Sequence, residues 1–133
     1  MDLFGKEVRG LERAMDGLSR RMEATALNLA NVHTPGYARR DVKFEDSLAE
    51  VLDSMEVPID PERSEAPEDT SYLIEQWQPR TEVDERRPQR LDGNGVVLEK
   101  EVSAATQAAL RFNVLATSLA ADYRDLKFVI DAK

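Results

Sequence analysis

Cysteine is absent from this chain of 133 residues, and histidine occurs once, at His33. Without cysteine the chain can form no disulfide, no thiolate nucleophile and no cysteine-ligated metal site. A single histidine likewise excludes a multi-histidine metal site unless another chain supplies ligands. His33 has only Thr34 beside it, which fixes no catalytic geometry, so a loop histidine with a local hydrogen bond is the favoured interpretation. We therefore expect no metal and no cofactor.

Long apolar runs are also missing. No stretch approaches the roughly 18–20 apolar residues that cross a bilayer, so we expect no membrane-spanning segment. Charges at Asp2, Lys6, Glu7 and Arg9 leave no room for the apolar core of a secretory signal, so any export is expected to occur without a cleaved signal. Aromatic residues make up only 6% of the chain. Because a domain this small buries a modest fraction of its surface, a partner would help to stabilise it.

Features of ligand-binding and catalytic sites are sparse. The six glycines are scattered and form no phosphate-binding loop. The net charge of −8 is concentrated in residues 45–92, which hold fifteen acidic and five basic residues, and this argues against binding to nucleic acid. The same region lacks the patterned apolar residues that would hold two catalytic carboxylates at a fixed separation. We expect no nucleic acid or small-molecule substrate as a partner, and no enzymatic activity.

The first segment has the apolar spacing of a long helix, predicted from Leu3 to Asn31. Apolar residues recur every three or four positions, which gives one narrow stripe of the kind found in coiled coils. The stripe consists of Phe4, Val8, Leu11, Met15, Leu18, Met22 and Leu29, and Thr25 or Ala26 fills the gap between the last two. A helix with one thin stripe cannot bury that stripe alone, so it needs another helix.

The last segment has a similar pattern, predicted as a helix from Val97 to Asp131. Its stripe consists of Leu98, Val102, Ala105, Ala109, Phe112, Ala116, Leu119, Tyr123, Leu126 and Ile130. Two arrangements stay open, because the stripes could pack together inside one chain or against other chains. The turn sequence Asp92-Gly93-Asn94-Gly95 precedes this helix, and Asn94 is a candidate N-cap residue.

The middle of the chain predicts shorter elements. Pro35-Gly36 favours a turn with glycine at positive φ. The alternation over 41–44 suits a short extended piece, and 44–55 has a weak helical pattern. Residues 56–92 hold five of the six prolines and little apolar pattern, which favours a flexible or variable loop. Within that stretch, the apolar residues from Tyr72 to Trp77 suggest a strand or a small cap over the core.

The predicted fold is mainly α. The long N- and C-terminal helices are expected to pair as an antiparallel, coiled-coil-like hairpin with a loop-rich, partly extended middle. We divide the chain into an N-terminal helix (1–31), a loop with a short helix (32–55), an acidic proline-rich variable loop region (56–92) and a C-terminal helix (93–133).

Arg39, Arg40 and Lys43 form a small basic cluster in an otherwise acidic chain. One interpretation is a solvated loop. The other is a docking site for an acidic neighbour, such as the acidic middle of another copy.

One segment carries a family resemblance. Residues 26–41 read Ala-Leu-Asn-Leu-Ala-Asn-Val-His-Thr-Pro-Gly-Tyr-Ala-Arg-Arg-Asp. This segment resembles the N-terminal signature of the flagellar rod, hook and hook-associated family. The matching positions are Asn28, Ala30, Asn31, Thr34, Pro35, Gly36 and Tyr37. The continuation through Phe44 and the C-terminal pattern from Asp92 to Ile130 look most like the proximal rod proteins of that family.

The resemblance implies a structural subunit of the bacterial flagellar basal-body rod, at its proximal end. In that family the terminal helices pack as a coiled coil in a tubular, helical assembly, which transmits torque across the periplasm. The implied partners are other rod subunits, the rod-base adaptor, the inner-membrane (MS) ring and the flagellar type III export apparatus. The alternative is a helical adaptor or flagellar export chaperone, which would share the stripes but would not need the signature.

The stripes and the signature together predict a subunit interface. Its residues are Leu11, Met15, Leu18, Met22, Asn28, Asn31, Pro35, Gly36, Tyr37, Arg39, Arg40, Phe112, Leu119, Tyr123, Leu126 and Ile130. The signature residues among them are expected to set the turn after the first helix, and Asn31 is expected to bond carbonyls at the helix end.

Overall fold

The computed structural model describes residues 3–55, 70–84 and 90–131. Its elements in chain order are α1 (Leu3–Ala30), β1 (Arg40–Lys43), α2 (Glu45–Ser54), α3 (Ser71–Gln76), β2 (Arg80–Val83) and α4 (Leu98–Asp131). The described part is mostly helical, with long first and last helices, as predicted. Most of the acidic, proline-rich stretch expected as a variable loop lies outside the described residues.

Helices α1 and α4 contact each other near both of their ends. The Asn28 amide, near the end of α1, donates to the Glu101 carboxylate near the start of α4 over 2.9 Å. The Tyr123 hydroxyl, late in α4, donates to the Glu12 carboxylate early in α1 over 3.0 Å. The helices therefore run in opposite directions where they touch, and their coiled-coil-like packing stays a prediction. Within the described residues, no helix is both long and apolar enough to cross a membrane.

The short strands β1 and β2 form an antiparallel pair. The alternating sequence of β1 explains its position, because Val42 is fully buried while its neighbour Lys43 is exposed. The register joins Arg40 to Val83 and Lys43 to Arg80.

The apolar core lies where the middle of α1, β1, the two short helices and the first half of α4 meet. Its buried residues are Leu18, Ala24, Val42, Phe44, Leu48, Met55, Ile74, Trp77 and Ala108. The rings of Phe44 and Trp77 pack edge to face, with centroids 6.3 Å apart. Gly17 is required on α1, because a Cβ there would lie 2.5 Å from the Phe44 ring.

The apolar island from Tyr72 to Trp77 is a helix and not a strand. Helix α3 turns Ile74 inwards, and the next residue after the helix, Trp77, is also buried. These two residues are three apart, which is the spacing of one helix face. The Arg13 guanidinium donates to the carbonyls of Ile74 and Glu75, and thereby bonds carbonyl groups at the end of α3. Part of the stretch expected as a loop thus contributes to the core.

Candidate functional site

A cluster of buried and half-buried polar groups joins α1, the two strands and α4. We call Asn28, Arg39, Asp41, Asp84 and Glu101 the polar cluster. The Asn28 side chain is fully buried and hydrogen-bonds to the backbone of β1, as a neighbouring strand would. Its amide donates to the Arg40 carbonyl over 2.7 Å, and its oxygen accepts from the Arg40 N–H over 2.9 Å.

Glu101 is the second fully buried member of the polar cluster. One carboxylate oxygen accepts from Asn28, and the other accepts from the Arg39 guanidinium. Arg39 also pairs with Asp41 over 3.1 Å and lies 3.8 Å from Asp84. Burial lowers the pKa of Arg39, but its hydrogen bonds with Glu101 and Asp41 outweigh this effect, so the pKa is raised overall. The buried carboxylate is therefore compensated by a permanent cation and an amide.

The loop after α1, residues 31–39, is called the signature loop here. The segment before α4 is hydrogen-bonded to this loop. The fully buried Asn94 amide donates to the carbonyls of Asn31 and Thr34 over 2.9 and 2.7 Å. The Asn94 oxygen accepts from the Val96 N–H over 2.7 Å. Asn94 is therefore not the N-cap of α4, which begins at Leu98. That prediction was wrong because the turn brings Asn94 against the carbonyls of a distant loop.

Two glycines shape this junction. Gly36 and Gly93 have φ values of 72° and 75°, a region that residues with a Cβ rarely adopt. The prediction of a positive φ at Gly36 is confirmed. The Gly36 N–H donates to the Asp92 carbonyl over 3.0 Å, and the Gly95 N–H donates to the Tyr37 carbonyl over the same distance.

The ends of the signature loop are bonded by its own asparagine and tyrosine side chains. The Asn31 amide donates to the Leu27 carbonyl over 2.8 Å, which is the expected bond to a helix-end carbonyl. The Tyr37 hydroxyl donates to the Asn28 oxygen over 3.3 Å. His33, Thr34 and Pro35 are exposed at the tip of the loop.

The side chains of the polar cluster are engaged in contacts within the chain. Each of its side chains bonds another side chain or the backbone of the same chain. Among the described residues, no group of three or more histidines, cysteines or carboxylates could hold a metal ion.

The predicted interface residues fall into three groups by exposure. Leu18 and Asn28 are buried by their own chain. The half-buried group consists of Leu11, Met15, Met22, Asn31, Tyr37, Arg39, Phe112 and Leu119. The exposed group consists of Pro35, Gly36, Arg40, Tyr123, Leu126 and Ile130. The structure brings Asn28, Tyr37, Arg39 and Arg40 together, and their role in contacts between subunits stays a prediction.

The basic cluster is largely committed to contacts inside the chain. Arg39 is paired with Glu101 and Asp41, and Lys43 lies 3.8 Å from Glu82. The neighbouring Arg40 side chain is exposed. The hypothesis of a three-residue docking site for an acidic neighbour is therefore weakened at two of its three positions.

A separate surface is formed by apolar side chains of α4 that do not face α1. Leu110, Val114 and Phe128 are 65%, 61% and 76% exposed. Val114 follows Leu110 by 4 residues, and Phe128 follows Val114 by 14. Both spacings are close to whole helical turns, so the three side chains lie along one side of the helix. We call these three residues the outer face of α4. Phe112 and Leu115, between them in sequence, pack against the core instead.

Sequence reasoning did not single out Glu101 or Arg21. Arg21 in fact donates to the Val42 carbonyl and to Glu45, and lies 4.9 Å from the centre of the Phe44 ring. The available signal was position, since Arg21 and Asn28 lie seven residues apart and so share one face of α1.

Comparison with curated proteins finds relatives along the whole chain. The chain is 26% identical over 140 residues to the flagellar basal body rod protein FlgB of Escherichia coli (strain K12). The alignment covers 99% of this chain and 98% of that protein. FlgB of Shigella flexneri matches with the same identity and coverage. No protein-family model matches the chain. The chain is thus similar, from one end to the other, to a protein of the flagellar basal-body rod.

Proposed function

We propose that this chain is a structural subunit of the bacterial flagellar basal-body rod, in its membrane-proximal part, and not an enzyme. The observation that carries the proposal is the similarity to FlgB over 99% of this chain and 98% of the relative. Similarity of this extent involves the signature loop and both long helices together. A shared single motif would support much less.

The outer face of α4 supports an assembling protein on physical grounds. Its three large apolar side chains are mostly exposed in the isolated chain. Exposed apolar rows of this kind mark sites of protein–protein interaction, because burying them removes apolar surface from water. A contact between different surfaces of successive copies continues as a helical assembly when its rotation does not close into a ring.

The proposed arrangement keeps α1 and α4 together as an antiparallel, coiled-coil-like hairpin within each subunit. The two hydrogen bonds between these helices, at Asn28–Glu101 and Tyr123–Glu12, support it. The signature loop then lies at one end of the hairpin and is held by Asn94. The outer face of α4 is left for neighbouring subunits.

The proposed partners are other rod subunits, the rod-base adaptor and the inner-membrane ring. The proposed location is the rod across the periplasm, reached through the flagellar type III export apparatus without a cleaved signal. In this position the subunit would transmit torque from the membrane ring to the outer parts of the flagellum.

The direct test is mass spectrometry and immuno-electron microscopy of isolated hook–basal-body particles from the source bacterium. We expect the chain in intact particles, at the membrane-proximal end of the rod. Absence from intact particles together with abundance in the cytosol would contradict the rod function and favour a helical adaptor or export chaperone.

A matched pair of variants tests the surface. Leu110→Asp changes the outer face of α4, whereas Gln107→Asp changes an exposed polar residue one turn earlier. We expect Leu110→Asp to abolish swimming in a strain that lacks the native gene, with normal protein level and helicity, and Gln107→Asp to swim. Normal swimming of Leu110→Asp would exclude the outer face as an assembly surface.

A further inference from the structure

The two strands have one shared edge and two outer edges. The Asp84 N–H donates to the Arg39 carbonyl over 2.8 Å, so residues 39 and 84 are a hydrogen-bonded pair. In an antiparallel ladder, hydrogen-bonded pairs alternate with pairs that are not hydrogen-bonded to each other. The backbone groups of Arg80 and Glu82 therefore also point towards β1. Those of Thr81 and Val83 therefore point away from the sheet.

The outer edge of β1 is closed by side chains. The Asn28 side chain hydrogen-bonds to both the N–H and the carbonyl of Arg40. Arg21 donates to the Val42 carbonyl, and the Asp41 side chain accepts from the Val42 N–H. No backbone group that points outwards from Arg40 or Val42 is thus left for another strand.

No part of the chain that the structure describes closes the outer edge of β2. All four of its residues are exposed, including Val83 at 56%. Outside the ladder with β1, no described residue hydrogen-bonds to the backbone of Thr81 or Val83. An open edge of this kind is a template for pairing with a further strand.

The charges on β2 indicate which strand fits. Arg80 and Glu82 lie on the same side of the strand, two residues apart, with Thr81 between them. If two copies of β2 pair antiparallel with Thr81 opposite Thr81, each Arg80 lies opposite the Glu82 of the other copy. The strand is therefore complementary to itself in this register. A slide of two residues, which centres the pair on Glu82, would bring Glu82 opposite Glu82, which is unfavourable.

We propose that β2 of one copy pairs with β2 of a second copy, antiparallel and centred on Thr81, to give a four-stranded sheet across a two-fold axis. The backbone groups allow this register. Each Thr81 N–H reaches the opposite Thr81 carbonyl, and each Val83 N–H reaches the opposite Pro79 carbonyl. Pro79 lacks an N–H, so it accepts from Val83 but cannot return a bond to the Val83 carbonyl, and each of these outer pairs keeps one of its two hydrogen bonds.

The resulting contact is small and charge-assisted. Two short strands contribute few hydrogen bonds, so the dimer is weak and reversible and dissociates as salt screens the two charge pairs. It uses residues distinct from the outer face of α4, and its existence does not depend on the proposed rod function.

Charge reversal tests the proposal with the purified full chain in analytical ultracentrifugation. Arg80→Glu alone makes the facing charges all negative, and Glu82→Arg alone makes them all positive. We expect each variant to self-associate about tenfold more weakly than the wild type, because like charges then face each other. An equimolar mixture of the two variants restores opposite charges at both positions and is expected to regain wild-type association as a mixed dimer.

A backbone variant provides an independent check. Thr81→Pro removes an outward N–H and leaves the ladder with β1 intact, since proline is tolerated at an edge when its N–H would face solvent. We expect Thr81→Pro to be monomeric with wild-type circular dichroism and Thr81→Ala to dimerise.

Cross-linking locates the contact. Because the chain has no cysteine, a single Thr81→Cys substitution with a short thiol cross-linker is expected to trap the dimer, whereas Glu50→Cys on α2 is not. The proposal is overturned by a wild-type chain that stays monomeric at all concentrations. It is equally overturned by self-association that persists in both charge variants and in Thr81→Pro.

Discussion

The two halves of helix α4 differ in what surrounds them. In the first half, Glu101 is fully buried and Ala108 is 2% exposed. In the second half, Phe128, Val129 and Ile130 are all at least 65% exposed, although they are larger and more apolar. One side of the first half is covered by the chain's own α1, whereas Leu110 and Val114 on its other side are exposed.

This difference separates residues that fold the chain from residues available to other chains. A buried carboxylate is stable only when it is paired, and Glu101 is paired with Asn28 and Arg39. Exposed apolar side chains, by contrast, can still contribute free energy when a later contact removes them from water. We therefore expect substitutions in the first group to change the stability of the monomer, and those in the second to change assembly.

The largest effect is expected for Leu18→Asp. Leu18 is 2% exposed in the core, so the substitution removes a buried apolar side chain and introduces a charge without a partner. We expect the free energy of unfolding to fall by about 4 kcal/mol or more. Urea unfolding followed by circular dichroism measures this change.

Leu110→Asp is the matched control for that experiment, because the same side chains are exchanged at an exposed position. Its unfolding free energy should stay within about 0.5 kcal/mol of the wild type. Equal destabilisation by both variants would mean that the outer face of α4 is part of the monomer core.

The next largest effect is expected for Glu101→Ala. The change leaves the Asn28 amide and the Arg39 guanidinium without their buried acceptor. We expect a loss of about 2–4 kcal/mol of stability in urea unfolding. Glu99→Ala, which changes an exposed acid two residues earlier, should cost less than about 1 kcal/mol. A variant of Glu101 as stable as that control would show that the polar cluster does not hold the fold.

A smaller, pH-dependent effect is expected at Glu45. The hydrogen bond from Arg21 is the main reason why the pKa of Glu45 is lowered from 4.5 to about 2. Because the folded pKa lies below the unfolded value, this pair stabilises the fold above about pH 4.5, and the contribution is lost as the pH falls towards 2. Glu45 is 48% exposed, so solvent screening limits the contribution to about 1 kcal/mol.

The measurement compares wild type with Glu45→Gln by urea unfolding at neutral pH and at several lower values. The wild type should be more stable at neutral pH, and the difference should shrink below about pH 4.5. Taking the difference removes the contributions of other carboxylates. A difference that does not vary with pH would contradict an ionic origin.

The smallest effect is expected for Tyr123→Phe. This variant removes the exposed hydrogen bond to Glu12, the counterpart of the buried Asn28–Glu101 bond between the same two helices. Water replaces an exposed partner readily, so the unfolding midpoint should not change measurably. Asn28→Ala, which breaks the buried bond, should lower the midpoint clearly. A large effect at Tyr123 would mean that the second half of α4 is held as firmly as the first.

The sequence predicted the elements whose signals are local and periodic. Long stripes predicted α1 and α4, and Pro35-Gly36 predicted a turn with positive φ. The short helix α2 and the strand β1 were also expected from apolar spacing. These predictions succeed because helical and strand periodicity and the sterics of glycine depend on neighbouring residues alone.

Other features depend on contacts between residues far apart in the chain. The apolar island around Ile74 was predicted as a strand or a small cap over the core, because a short apolar run has no clear period. In the structure it forms helix α3, which packs against α1. Asn94 has the local features of an N-cap, but the tertiary structure turns its amide towards the carbonyls of the signature loop instead.

The amino-acid sequence by itself predicted that this chain is mainly helical and has two long apolar stripes, and one of its segments resembles a signature of flagellar rod proteins. Only the tertiary structure decided which charges are structural, because burial of Glu101 depends on residues as distant as Asn28 and Arg39. It also showed that side chains close the outer edge of β1, while none of the described residues closes that of β2. The physical reason is that desolvation and hydrogen-bond satisfaction are properties of packed neighbours and not of sequence order.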